Sequence, residues 1–447
     1  MRAALRFLAT QHGTAYVVQP LPVSHFQATL AGSDGVALRW QPTPDPLEST
    51  ADAEAYVVYT RVERGGWDNG RVVDGTSTTL RGLEPGVIYS YRVAAVNAGG
   101  ESAPSETLAV LHLPSGGDPV LVVKGFDRVA PPAVVETDSL AGFAHWQDEG
   151  VPDRYDLNFT GNQFNFDRND EWTDDDAPGW GSSYGDMETT VIPGNTFDFP
   201  LLHGESLRAA GVAFASTSAA AFSAGTVDAA PYRALDLILG EQKTTPWPKP
   251  TRSPQFETLP TPLRDALGRF CARGGGLFVS GAYVGTDVFE EQADDAPGPA
   301  FARSVLGYQW RTDNAVTKGG FVSPNDTLLP DGTTLAFVSD FDPDVYAAEA
   351  PDAIEPADST GATVLRYAEN NMSAAVASRG ACPRIVFGFP FETIRTRDDR
   401  DVVMQAVLRY FALPPSPGTR VTRRPPTPQT PQIAPLPSSH SAPGSSP

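Results

Sequence analysis

Hydrophobic and polar positions follow two different grammars along this chain. Up to about residue 113 they alternate in short runs. Val36-Ala-Leu-Arg-Trp40, Ala55-Tyr-Val-Val-Tyr-Thr-Arg-Val62 and Ser90-Tyr-Arg-Val-Ala-Ala-Val-Asn97 each place apolar residues on one side of an extended segment. Turn residues separate them, as in Trp67-Asp-Asn-Gly70, and the pattern predicts half-buried antiparallel strands. Beyond Pro114-Ser-Gly-Gly-Asp118, read as a hinge, the runs become continuously apolar: Pro119–Gly125, Val212–Ala215, Tyr232–Glu241, Leu277–Val279 and Arg384–Pro390. Such runs suit strands buried on both faces of a parallel sheet. Between them, helical spacing predicts amphipathic helices over Leu201–Ala210, Thr261–Arg273 and Asp398–Leu413. The second has Pro262 near its start and a triple glycine after its end, both common helix boundaries.

Other stretches lack this regularity. Residues 146–200 are irregular, aromatic and acidic, and 308–378 read as a less regular antiparallel region. Pro414–Pro447 is rich in Pro, Ser and Thr with no apolar periodicity, so disorder is expected there. The expected organisation is a helix and linker over 1–22, an all-β domain over 23–113, a linker over 114–118, an α/β domain over 119–413 and the tail from 414.

Composition narrows the function classes. The net charge is -21, and only four of the 33 basic residues are lysine. A nucleic-acid partner is not expected, because a polyanion needs a basic face. The same balance suits an extracellular or high-salt setting, or reflects Arg-rich codon usage. No run reaches the roughly 20 apolar residues of a membrane span. Met1–Ala9 does not make a convincing secretion signal, since Arg6 interrupts it. Cys271 and Cys382 are read as two buried thiols, with a single bridge as the alternative.

In a parallel sheet, ligands bind beyond the carboxyl ends of the strands. That rule makes Asp127, Glu241, Asp287 and Glu392 converging pocket carboxylates, with Ser280 beside them and Lys243, Gly281 and Tyr283 as binding positions. Paired carboxylates there would suit glycoside hydrolysis or lyase chemistry. His145 and His203 are the imidazoles available to Ser280 in this region, and His203 is expected to begin or cap its helix. Asp174, Asp175 and Asp176 form a weak calcium candidate or a solvated acidic loop. Trp146, Phe164, Phe166, Trp172, Trp180 and Tyr184 would stack on sugar rings or pack a large loop. No cofactor is expected.

Two resemblances extend this reading. Trp40, Leu83-x-Pro85-Gly86-x-x-Tyr89, Tyr91-x-Val93-x-Ala95-x-Asn97 and the Gly-Glu-Ser-x-Pro-Ser run closely resemble a fibronectin type III domain. The resemblance implies a two-sheet sandwich filled by Trp40 and a corner at Tyr89 whose hydroxyl bonds nearby backbone. The later strands resemble a class I glutamine amidotransferase-like, flavodoxin-like domain. On that resemblance the nucleophilic cysteine falls on Gly281, the histidine falls on Phe389 before Pro390, and the glutamate is displaced to Glu392. Thioester chemistry therefore does not carry over.

The pair of domains resembles secreted bacterial proteins often labelled xanthan lyase. These often follow an N-acetylmuramoyl-L-alanine amidase domain, whose last helix residues 1–16 resemble, which implies a truncated reading frame or a start site called too late. Segments such as Gly125-Phe-Asp-Arg-Val and Leu237-Ile-Leu-Gly-Glu-Gln-Lys carry that likeness. It implies a non-catalytic envelope or polysaccharide-binding module with a degenerate site, extracellular or periplasmic given an upstream signal. The alternatives are a hydrolase or lyase acting on peptidoglycan or acidic polysaccharide, and a structural surface protein.

Overall fold

The computed structural model describes residues 16–114, 118–136, 141–143, 147–159, 190–246, 253–290, 293 and 296–413. The acidic run with Asp174, Asp175 and Asp176, the aromatic positions named between 146 and 184, His145, and the tail from 414 lie outside the described residues.

Strand is the predominant element. The N-terminal part contains β1 (Ser24–Ala31), β2 (Gly35–Gln41), β3 (Ala55–Val62), β4 (Arg71–Val73), β5 (Ser77–Arg81), β6 (Ile88–Asn97), β7 (Gly100–Glu101) and β8 (Leu108–Leu111). β1–β2–β5 form one antiparallel layer, and β4–β3–β6–β8 the other. Alternate residues face inward, so Phe26, Leu38, Trp40, Tyr56, Val58, Tyr91, Val93 and Val110 share one core. Trp40 meets Tyr56 edge-on, with centroids 5.4 Å apart. The Tyr89 hydroxyl accepts the Glu84 N–H at 3.1 Å, which is the corner expected from the sequence.

Five strands then run parallel: β9 (Val120–Lys124), β14 (Phe214–Ser218), β15 (Ala234–Gly240), β16 (Gly276–Gly281) and β23 (Arg384–Phe387). Between β9 and β14 lie the short pairs β10 (Val134–Glu136) with β11 (Ala141–Phe143) and β12 (Tyr155–Phe159) with β13 (Thr190–Pro193). The spatial order of the parallel strands is β14-β9-β15-β16-β23. Their side chains alternate between two cores. Val122, Ile238, Phe278 and Phe387 face α1 (Phe199–Ala209) and α6 (Arg397–Tyr410). Leu121, Leu237, Val279 and Val386 face α2 (Ala219–Ser223) and α3 (Thr261–Ala272). Burial on both faces is why these segments read as unbroken apolar runs.

After β16 come α4 (Thr286–Phe289), α5 (Pro297–Phe301) and a π-type turn over Ala302–Leu306. The expected antiparallel region follows as β17 (Tyr308–Thr312), β18 (Gly320–Val322), β19 (Thr334–Ala336), β20 (Ala353–Pro356), β21 (Gly361–Tyr367) and β22 (Ser373–Ser378). β17 pairs with β20, while β22 extends the sheet antiparallel to β23.

Two features depart from the sequence reading. Cys271 and Cys382 are joined in a disulfide, with Cα atoms 5.2 Å apart; they are not the two thiols expected. α3 ends just before β16, Cys382 lies just before β23, and those strands are neighbours, so their entry loops meet. The segment around 114–118 is also not the sole tie between the sandwich and the parallel strands. β1 and β8 both pair antiparallel with β14, and the Ser216 hydroxyl bonds both the N–H and the C=O of Ala109, at 2.8 and 2.7 Å. Arg61–Asp198, Arg64–Glu205 and Arg208–Glu63 ion pairs cross the same junction.

Candidate functional site

The carboxyl ends of the parallel strands bring together Arg128, Asp148, Glu241, Lys243, Tyr283 and Glu349. Arg128 is fully buried. Its guanidinium donates to Asp148 Oδ2 at 2.5 Å and to Thr245 Oγ1 at 3.0 Å, while the Gln242 side chain accepts the Asp127 and Arg128 N–H groups. The loops after β9 and β15 are thereby locked to each other. Lys243 lies 4.6 Å from the Tyr283 ring centre and 3.6 Å from Asp148.

Over these groups folds the segment between β19 and β20. Its Glu349 accepts the Tyr283 hydroxyl at 2.8 Å, and the Glu349 N–H donates to Glu241 Oε1 at 2.6 Å. Burial raises the Glu241 carboxyl well above its ordinary range, and the neighbouring Glu349 adds to that. Burial, then Asp148, lifts Glu349 to about 7. For Asp148, burial pushes upward but the Arg128 guanidinium outweighs it and holds the carboxyl low. Two adjacent carboxyls that keep a proton near neutrality, beside a phenol, are equipped for acid–base work. Access is the obstacle: Glu241 is only 4% exposed and Tyr283 1%.

The other predicted carboxylates do not join this group. Asp127 pairs with the buried Lys124. Asp287 accepts from the Thr244 N–H and hydroxyl and from the Thr258 N–H, at 2.8–3.0 Å, and so holds the loop after β15. Glu392 is fully buried between His203 Nε2 at 3.4 Å and the Tyr346 hydroxyl at 2.7 Å.

His203 does not start or cap α1 but sits within it, its Nδ1 2.8 Å from Asp236 Oδ2. Burial alone would push the imidazole down; Asp236 and Glu392 outweigh it and raise it to about 9. Both ring nitrogens are thus committed, and Ser280 Oγ is buried without a hydrogen-bond partner among the described residues. The signal for this network was visible in the chain: Asp236 interrupts the apolar run Leu235–Leu239.

The glycine-rich turn after β16 is sealed rather than open. A Cβ on Gly281 would lie 2.8 Å from Leu239 Cβ and 3.3 Å from Val284 Cγ1. No residue from Gly276 to Asp287 has positive φ, so the strained turn that lifts a nucleophile out of a sheet is not formed. Two amides of this turn are already used. Asp352 accepts the Gly285 and Thr286 N–H groups, the Thr286 hydroxyl and Trp310 Nε1 at 2.5–3.1 Å. Burial raises Asp352 to about 8 despite these donors. Phe389 is equally committed: it stacks on Phe337 and Phe387 at 4.8 and 5.1 Å, fully buried. Among the described residues, no group of three or more His, Cys, Asp or Glu side chains could hold a metal ion. No helix among them is long and apolar enough to cross a membrane.

Residues 21–110 match the fibronectin type III domain family. Among solved structures, the sixth such domain of human fibronectin type III domain containing protein 3 is 24% identical, over 23% of this chain and 94% of that one, with a TM-score of 0.20. The twitchin kinase region from C. elegans is 20% identical over 27% of each chain (TM-score 0.20). Domains d3–d4 of the rat CD45 extracellular region are 13% identical over 21% of this chain and 51% of that one (TM-score 0.19). The chain thus spans about a quarter of the twitchin region and half of the CD45 fragment. The paired layers, the buried Trp40, the Tyr89 corner and the family match agree: residues 21–110 are a fibronectin type III domain, a module found in extracellular and binding proteins.

Proposed function

We propose that this chain is a non-catalytic cell-envelope or polysaccharide-binding module of a secreted multidomain protein, in which residues 119–413 form a flavodoxin-like, class I glutamine amidotransferase-like domain with a degenerate site. The observation that carries the reading is the packing at Gly281, where the resemblance puts a nucleophile and where Leu239 and Val284 leave no space for a side chain. Phe389, in the histidine's place, belongs to an aromatic core. Numbered by chain order, the parallel strands run 2-1-3-4-5, the order of flavodoxin-like sheets. The Cys271–Cys382 disulfide suits an oxidising compartment. The test is glycan-array binding by the full chain alongside turnover assays on peptidoglycan and acidic polysaccharides. Binding without turnover is expected; no ligand in any screen would favour a structural surface protein instead.

A hydrolase or lyase is the second reading, favoured by the raised carboxyls of Glu241 and Glu349 beside Tyr283. It requires the Glu349 segment to move aside. Turnover that disappears in Glu241→Gln while folding is retained would replace the first reading with this one.

A further inference from the structure

Where the fibronectin type III domain meets the rest of the chain, a cleft of about 150 Å³ collects an unusual set of charges for a protein of net charge -21. Arg61, Trp67 and Arg92 line it from the sandwich, and Arg154, Tyr155 and Asp198 from the other side. The guanidinium groups of Arg61 and Arg92 lie 4.8 and 4.4 Å from the Trp67 ring centre, and Arg92 also lies 5.3 Å from that of Tyr59. Arg61 has a carboxylate, Asp198, at 2.7 Å. Arg92 has no ion pair among the described residues, and its buried Nε has no hydrogen-bond partner. Among the described residues Arg154 forms one ion pair, with Asp153 at 3.8 Å and largely exposed, and lies 5.8 Å from the Phe197 ring centre.

The backbone here is held in an uncommon shape. Arg154 has φ +64° and Phe197 φ +56°, a region that costs a non-glycine residue energy and persists only where surroundings impose it. The imposing contacts are the Arg154 N–H to Asn195 O and the Gly194 N–H to Arg154 O, at 3.0 and 2.8 Å. Asn195 is itself fully buried and bonds the Phe126 carbonyl. Two turns from different parts of the chain thus bring a third arginine up to the other two. Burial, then the proximity of Arg154, lowers the Arg92 guanidinium from its ordinary value.

We infer that this cleft is a binding site for an oxyanion group, carboxylate or phosphate-like, carried on a compact ring-shaped body. Arg92, which has no ion pair among the described residues, and Arg154, whose pair with Asp153 is largely exposed, supply two guanidinium forks, which match planar oxyanions. The exposed Tyr155 supplies flat apolar wall for the body. The volume is smaller than the roughly 300–1,000 Å³ of sites for drug-sized ligands, so one ring is the size that fits. None of these residues belongs to the strand-end crevice, so the inference stands or falls independently of the function proposed for it.

Titration of the full chain at low salt with D-glucuronate, D-glucose 6-phosphate and neutral D-glucose, read by calorimetry, tests this. At least one of the two anions is expected to bind saturably, and the tighter of them identifies the source of the oxyanion. Neutral glucose is expected not to bind. Arg92→Gln and Arg154→Gln should each weaken the anion at least 10-fold, and added salt should weaken it further. Arg92→Gln also interrupts a stacked ladder; should it fail to fold, the more exposed Arg154→Gln decides alone. Absence of binding by both anions, equal binding of glucose, or wild-type affinity in a folded Arg154→Gln variant would each overturn the inference.

Discussion

His203 is charged where an isolated buried imidazole would be neutral, because Asp236 and Glu392 flank it. Its folded-state value of about 9 lies above the ordinary 6.5. Its contribution to stability is therefore complete below about pH 6.5 and lost as pH rises through about 9. Glu349 and Asp352 act in the same direction: their folded values, about 7 and about 8, lie above ordinary carboxyl values, so their contributions fade as pH climbs from the unfolded values through those points. The melting temperature is predicted to be higher at pH 6 than at pH 9, and a flat or rising profile would contradict the assignment. His203→Gln should flatten the upper part of that profile and cost about 3–5 kcal/mol, since two buried carboxylates lose their cation. At Asp352, alanine should cost about 2–4 kcal/mol by stranding the donors of Gly285, Thr286 and Trp310, whereas asparagine should cost less. Gly281→Cys puts a thiol at the position proposed above for the degenerate site. It is expected to destabilise by about 1–3 kcal/mol through overpacking against Leu239, and its thiol to resist alkylation in the native state.

At the scale of elements, helix boundaries and buried strands were legible to within a few residues because their signals are local. Pro262 starts α3 and Gly274, at φ +82°, follows its end; apolar runs mark β9, β15 and β16. The disulfide was legible only as the alternative to two thiols. Nothing local to Cys271 or Cys382 says that β16 and β23 are neighbours, and 111 residues separate the two cysteines. A cross-link across so long a loop restrains the unfolded chain strongly, so reduction, or Cys382→Ser, should lower stability by about 2–5 kcal/mol. Denaturant unfolding with and without reductant checks this; coincident curves would mean that the bridge contributes nothing.

Across the whole molecule, the fibronectin type III domain is joined to the parallel strands by backbone pairing as well as by ion pairs. Ser216 satisfies both backbone groups of Ala109 on β8, and its replacement by alanine leaves them buried without that partner. Ser216→Ala is predicted to cost about 2–3 kcal/mol, and calorimetry of the intact chain should show the sandwich and the parallel strands melting together. Two well-separated transitions would show that the junction is weaker than its hydrogen bonds suggest.

Periodicity, turn residues and the Trp40 and Tyr89 positions were sufficient to determine the sandwich and the succession of buried strands, since those depend on neighbours a few residues apart. They also placed Glu241, Lys243 and Tyr283 at strand ends. Only the tertiary structure decided which groups face one another there. Glu349 reaches Glu241 from 108 residues away, Asp352 occupies the Gly285 and Thr286 amides of the glycine-rich turn, and Glu392 turns inward to His203. Arg154 reaches the arginines of the sandwich only because the chain is held at positive φ beside Asn195. Each of these depends on the distance between side chains far apart in sequence, which a one-dimensional pattern does not contain.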